Sequence, residues 1–220
     1  MITLHYIGDS TVARNNIHSY PQTGMSQGLE LYLRQDVRVE SYAKNGRSTK
    51  SFLDEGRFEP VKTAMQPGDL LLIQFGHNDE KDDPARHTDP RTTFQANLAL
   101  FVEAARSRGA YPVLLTPIAR RLFDASGEFR PGSHGEYPAA IRKMAAELQV
   151  PLIDLTAETE AFLAQLGDEP SKPLFMWPKD NTHLKPKGAV KMAGFVAEGF
   201  RKLGGIYAQL LAPVTEGAGN

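Results

Sequence analysis

Short apolar runs alternate along this chain with stretches in which apolar residues recur every three or four positions. Residues 2–7, Ile-Thr-Leu-His-Tyr-Ile, read as a first strand. Met25, Leu29, Leu31, Tyr32 and Leu33 predict a helix over about 24–34. In 37–42, Val37 and Val39 alternate with Arg38 and Glu40, the period of a second strand. A helical stretch is expected near 60–66, and Pro67-Gly68-Asp69 makes a turn. Residues 70–75 are almost continuously apolar, as in a parallel strand buried on both faces. The clearest helix covers 92–108, with Phe94, Leu98, Phe101, Val102 and Ala105 on one face and Gly109 at its end. A fourth strand at 111–116 is stopped by Pro117. A helix over 136–149 leads to a short strand at 151–155, and Thr156 is expected to cap a helix through Leu166. A last helix spans about 187–203, striped by Val190, Ala193, Phe195, Val196 and Phe200.

This alternation of strand and helix predicts an α/β fold: a mostly parallel five-stranded sheet with helices on both faces. No repeat and no linker interrupts it, so residues 1–211 read as one domain. Residues 212–220, rich in Gly and Ala, read as a frayed tail. Three polar stretches break the pattern, at 80–92, 120–135 and 167–178. Long loops in a compact α/β domain are commonly functional, and all three are expected to line a substrate cleft.

Composition narrows the partners. Twenty-five basic residues balance 26 acidic ones, for a net charge of -1. With no polybasic stripe, nucleic acid and anionic membrane are not the expected partners. No apolar run approaches the ~18 residues of a membrane span. The absence of cysteine excludes a thiol nucleophile, disulfides and thiolate metal sites. Met1 runs directly into the first strand and leaves no room for the apolar core of a signal peptide. The expected location is therefore the cytoplasm.

Four segments carry candidate chemistry: Gly8-Asp9-Ser10-Thr11, Asn45-Gly46-Arg47-Ser48, Gly76-His77-Asn78-Asp79 and Asp180-Asn181-Thr182-His183. Each alone has an ordinary reading as a turn or a helix cap. The first three, however, follow strands. In a flavodoxin-like strand order those three strand ends are neighbours on one rim, where open parallel sheets bind ligands. A serine hydroxyl needs a base, which histidine supplies near neutral pH, and the base needs a partner on its other ring nitrogen. Ser10, His183 and Asp180 provide those groups. The backbone N–H groups of Ser10 and Gly46 and the amide of Asn78 are candidate donors to an oxyanion. The placing of Asp180 and His183 beside the other segments follows from this chemistry and not from periodicity.

Taken together the segments resemble the sequence blocks of the GDSL, or SGNH, hydrolases. Gly8-Asp9-Ser10 matches the nucleophile block, Gly46 the glycine block, Gly76-x-Asn78-Asp79 the asparagine block and Asp180-x-x-His183 the acid–histidine block. Thr11 stands where the family name has leucine. With Gly76-His77-Asn78-Asp79 and Asp180-Asn181-Thr182-His183-Leu184, this resembles the rhamnogalacturonan acetylesterase branch. The resemblance implies a three-layer α/β/α, flavodoxin-like fold. It also implies a serine acetylesterase without metal or other cofactor, acting on acetylated oligosaccharides from pectin or, in similar members, on xylan-type sugars. Asp9, His77 and Trp177 are the candidate substrate contacts. Trp177 either stacks on a sugar ring or anchors its own loop. Two other readings stay open: an esterase or thioesterase for longer acyl chains, and a non-catalytic or metal-binding domain built on His77, Asp79, His87 and His183.

Overall fold

A computed structural model describes residues 1–213. Five strands form the sheet: β1 (Ile2–Gly8), β2 (Val37–Ser41), β3 (Leu70–Gln74), β4 (Tyr111–Leu115) and β5 (Leu152–Ile153). The helices are α1 (Met25–Leu29), α2 (Thr49–Asp54), α3 (Phe58–Ala64), α4 (Thr93–Ser107), α5 (Tyr137–Glu147), α6 (Leu155–Leu166), α7 (Asp168–Ser171), α8 (Pro186–Leu203) and α9 (Gly205–Ala208). The strands are all parallel in the order β2-β1-β3-β4-β5, which is the flavodoxin-like order. The ends of β2, β1 and β3 are therefore adjacent, with Gly8 opposite Gln74.

The strand period of two sends alternate residues to opposite faces. Leu70 and Leu72 join Leu4, Tyr6, Val113 and Leu115 in a core capped by α1, α6 and α8. Leu71 and Ile73 join Ile7 and Leu114 in a second core, covered by α2, α3, α4 and α5. Two cores on one sheet make the three-layer α/β/α arrangement, and they explain why β3 is apolar at every position but its last.

Most expected elements are present, with differences at their edges. The helix expected over 24–34 is a single α-turn, α1, followed by a 3-10 turn at Glu30–Tyr32. Helix α2 has no counterpart in the sequence reading. It is six residues long, its apolar residues are Phe52 and Leu53, and it is set by Ser48 and Ser51, whose side chains cap one another's backbone. The cap of α6 is Asp154, whose carboxylate accepts from the Ala157 N–H, and not Thr156. Thr156 lies inside the helix and donates to the Pro117 carbonyl. Of the expected tail, the Ala212 N–H donates to the Tyr32 carbonyl, and 214–220 lie outside the described residues. Among the described residues no helix is long and apolar enough to cross a membrane.

Helices α1 and α8 approach unusually closely. A Cβ at Gly28 would stand 2.6 Å from the Ala189 carbonyl oxygen and 2.9 Å from the Val190 Cα. These are backbone atoms and cannot swing aside. The contact joins the chain after Ser10 to the chain after His183. Gly28→Ala should therefore cost about 1–3 kcal/mol by overpacking, beyond the ~1 kcal/mol that alanine gains as a helix former. Urea unfolding should show a lower midpoint at unchanged slope. An unchanged midpoint would mean that the two helices have room to spare.

Candidate active site

The site starts at the exit of β1. Gly8 is required there, because a Cβ would meet the Gln74 carbonyl at 2.6 Å. The chain then turns tightly. The Asp9 carbonyl accepts from the Val12 and Ala13 N–H groups, and the Asp9 carboxylate accepts from the Thr11 N–H at 2.9 Å and its hydroxyl at 2.8 Å. This turn holds Ser10 at the rim.

The Ser10 Oγ lies 2.9 Å from the His183 Nε2. The His183 Nδ1 lies 3.1 Å from the Asp180 Oδ2. The other oxygen of Asp180 accepts from the Thr182 and His183 N–H groups at 2.9 and 2.7 Å. Burial pushes the Asp180 carboxyl up, but these hydrogen bonds and the imidazole outweigh it and hold the group below its ordinary range. The acid is thus fixed as a carboxylate by the backbone of the residue it orients. A hydroxyl, an imidazole and a carboxylate in this sequence can move a proton off the hydroxyl as it attacks.

Asn78 stands at the exit of β3. Its amide nitrogen donates to the Arg47 carbonyl at 3.1 Å, which leaves one N–H for another acceptor. Gly46 has φ +78, a conformation that favours glycine. Ser10, Asn78, Asp180 and His183 share a cavity of about 170 Å³ with His77, Lys81, Arg120 and Thr182. Gly46 lies instead in the wall of a second hollow of about 520 Å³, with Arg47 and Arg86. Both arginines touch Asn78, which borders only the smaller cavity. A larger hollow of about 710 Å³, beside Arg34 and Arg38 at the sheet edge, contains none of these groups. Chemistry, not size, selects the site.

Asp9 is fully buried, which corrects its expected role as a substrate contact. Its second carboxylate oxygen meets the His77 Nδ1 at 3.2 Å. Burial drives the His77 pKa down to about 4, against the pull of Asp9, so the ring is neutral at pH 7. His77 borders the cavity, but its Nε2 is buried without a partner among the described residues. Trp177 is 41% exposed and outside the cavity wall. Arg121 lies over its ring at 4.6 Å and Lys172 at 5.5 Å. No residue of 167–178 borders the cavity, whereas the loops at 80–92 and 120–135 contribute Lys81 and Arg120.

Several supporting residues escaped the sequence reading. Arg120 donates to the Thr182 hydroxyl at 2.5 Å, to Glu80 at 2.6 Å and to the His77 carbonyl at 3.3 Å. It thereby straps the Asp180–His183 loop to the exit of β3. The buried His134 holds Glu80 from behind at 3.0 Å. Asp79 accepts from the Thr49 N–H and hydroxyl and from the Thr88 hydroxyl, joining the Gly46 segment to the Asn78 segment. Burial pushes its pKa up to about 7 despite those donors. The only sequence signals were the doubled arginine and an acid directly after Asn78. The residues of the metal-binding alternative stand apart: His77 meets Asp9, Asp79 the threonines, His87 the Lys81 carbonyl and His183 Ser10. Among the described residues no three His, Cys, Asp or Glu side chains converge to hold a metal.

The sequence model of the GDSL-like Lipase/Acylhydrolase family matches residues 6–190. The chain belongs to that family. It is 42% identical over 215 residues to Rhamnogalacturonan acetylesterase RhgT of Bacillus subtilis (strain 168), a match covering 92% of this chain and 91% of that protein. The crystal structure of Bacillus subtilis YxiM superposes with a TM-score of 0.82 at 26% identity, covering 92% of this chain and 56% of that one. This chain thus spans little more than half of YxiM. Axe2, an acetylxylan esterase from Geobacillus stearothermophilus, has the same fold, with a TM-score of 0.65 at 19% identity and coverage of 94% and 95%.

The neutral, buried His77 ties folding to pH. Its pKa of about 4 lies below the ordinary 6.5, so its contribution is present above pH 6.5 and is lost as pH falls towards 4. His77→Gln should therefore show a shallower loss of stability between pH 6.5 and 4 than the parent protein, measured by urea unfolding at each pH. Parallel stability curves would mean that His77 titrates alike in the folded and unfolded chains.

Proposed function

We propose that this chain is a serine esterase that removes O-acetyl groups from carbohydrate, with acetylated rhamnogalacturonan oligosaccharides as substrate. The observation that carries this reading is the Ser10–His183–Asp180 chain of contacts, in a protein 42% identical to a rhamnogalacturonan acetylesterase. Ser10 Oγ attacks the acetyl carbonyl carbon while His183 Nε2 takes the hydroxyl proton. Asp180 holds the imidazole in the required tautomer and offsets its positive charge. The oxyanion is met by the N–H groups of Ser10 and Gly46 and by the free amide N–H of Asn78. The intermediate collapses, His183 returns the proton to the leaving sugar oxygen, and acetate remains esterified to Ser10. Water, deprotonated by His183, attacks that ester; the bond to Ser10 Oγ breaks, His183 returns the proton to that oxygen, and acetate is released.

The size and polarity of the cavity favour a short acyl group. At about 170 Å³, with side chains ending in polar or charged groups around it, it has little room for a long chain. This weighs against an esterase for longer acyl chains. Trp177 lies outside the cavity wall with Arg121 and Lys172 over its ring, which supports anchoring of its loop over stacking on a sugar.

Acetate release from acetylated rhamnogalacturonan oligosaccharides, compared with acetylated xylo-oligosaccharides, tests the substrate. Preference for the xylo-oligosaccharides would overturn it. Ser10→Ala should remain folded by circular dichroism, lose acetate release and take up no organophosphate label. Full labelling of that variant would place the nucleophile elsewhere.

Asn78→Ala removes a donor that acts on charge present only in the transition state. Turnover of p-nitrophenyl acetate should fall about a hundredfold with KM little changed. A raised KM at unchanged kcat would make Asn78 a substrate-binding residue.

A further inference from the structure

Lysines and arginines line the cavity and the second hollow near it, and most are already paired. Arg47 pairs with Glu55, Lys50 with Asp54, Arg86 with Asp83 and Arg120 with Glu80, at 2.6–3.1 Å. Lys81 differs. It borders the cavity beside Ser10 and Asn78, and among the described residues its ammonium group has no acidic partner. Asp82, its neighbour in the chain, borders neither of the two hollows.

The backbone of Lys81 is held on both sides. Its N–H donates to the Asn78 carbonyl at 3.2 Å, and its carbonyl accepts from the Asp83 N–H at 2.8 Å and from His87 Nδ1 at 3.1 Å. The base of the side chain is therefore fixed relative to Asn78, while a flexible stem carries the charge. An ammonium is a compact point charge that attracts an anion without demanding a planar fork. With Asp180 committed to His183, the cavity mouth keeps one uncompensated positive charge.

We infer that Lys81 is a specificity-determining residue that binds the carboxylate of a uronic acid unit of the oligosaccharide. This rests on the proposed rhamnogalacturonan esterase activity, whose substrate already carries uronate charge, and adds the residue that holds that charge. Neutral acetylated sugars gain nothing from Lys81.

Competition reads this directly. Hydrolysis of p-nitrophenyl acetate is measured with unacetylated trigalacturonate or neutral xylotriose as inhibitor. Each protein is scaled to its own uninhibited rate, so any effect of the substitution on turnover drops out. Trigalacturonate should inhibit the parent more strongly than xylotriose does. Lys81→Gln should raise the inhibition constant for trigalacturonate about fivefold and leave that for xylotriose in place, and Lys81→Arg should restore it. In the parent, trigalacturonate should weaken between about 20 mM and about 0.5 M salt as the charges are screened. Equal inhibition of parent and Lys81→Gln by trigalacturonate would overturn the assignment, as would equal weakening by both saccharides. Calorimetric titration of trigalacturonate into the same proteins reads the assignment without turnover. A protein that leaves p-nitrophenyl acetate intact would thus refute the proposed function, while the titration still decides the role of Lys81.

Discussion

Everything in the site hangs on how a histidine 173 residues further along the chain reaches the serine at the end of the first strand. Two rigid elements make the meeting possible. Helix α1 follows the Ser10 turn, helix α8 follows His183, and the two press together with Gly28 against the Ala189 backbone. Between them the Thr23 N–H donates to the Leu184 carbonyl at 2.9 Å, one residue beyond His183. On its other side the loop is held by the Arg120 contact to Thr182 and by the Arg121 N–H, which donates to the Asn181 carbonyl at 2.8 Å. A proton transfer tolerates little slack, and these contacts remove it before any substrate arrives.

Beneath the rim, buried polar groups are linked in a chain whose one open end is the His77 Nε2. The Tyr6 hydroxyl donates to Gln74, Gln74 to Thr11, and Thr11 to Asp9, which meets His77. The ring of His77 packs against that of His134, and His134 meets Glu80, the partner of Arg120. One line of side chains thus runs from the middle of the sheet to the Asp180–His183 loop. Threonine at position 11 has a physical reason here, because its hydroxyl both accepts from Gln74 and donates to Asp9, which leucine cannot do. Unpaired polar groups under a reactive site are costly, and pairing them makes the site rigid.

The same arrangement separates the Ser10–His183 contact from the outer wall of the cavity. Ser10, His183 and Asn78 stand on strand ends or on a loop bound to them. Lys81 and Arg120 come from the loops beyond, at 80–92 and 120–135. Loops carried on a rigid sheet can vary in charge and shape without moving the groups at the strand ends.

The layering and the strand order were legible because they rest on local patterns. The continuous apolar run of β3, the alternation in β2 and the stripe of α4 each state which faces are covered, and parallel strands joined by helices have few ways to pack. Helix α2 was not legible, since six mostly polar residues carry too little periodicity and their order depends on a cap. Within the site, Ser10, Asn78, Asp180 and His183 stood out as reactive types at segment ends, and the structure gathers them around one cavity. Asp9 and His77 looked alike in sequence to groups that touch substrate. Only folding showed one buried with its charge spent inside and the other neutral with an enclosed Nε2. The roles of Arg120, Glu80 and His134 were also invisible, because residues 40 and 54 apart become partners only when the loops close. Sequence by itself determined the period of each element and the supply of reactive groups, since both depend on residue type and near neighbours. Tertiary structure decided which of those groups face the cavity and which lie beneath it, since burial and long-range contact exist only in the packed chain.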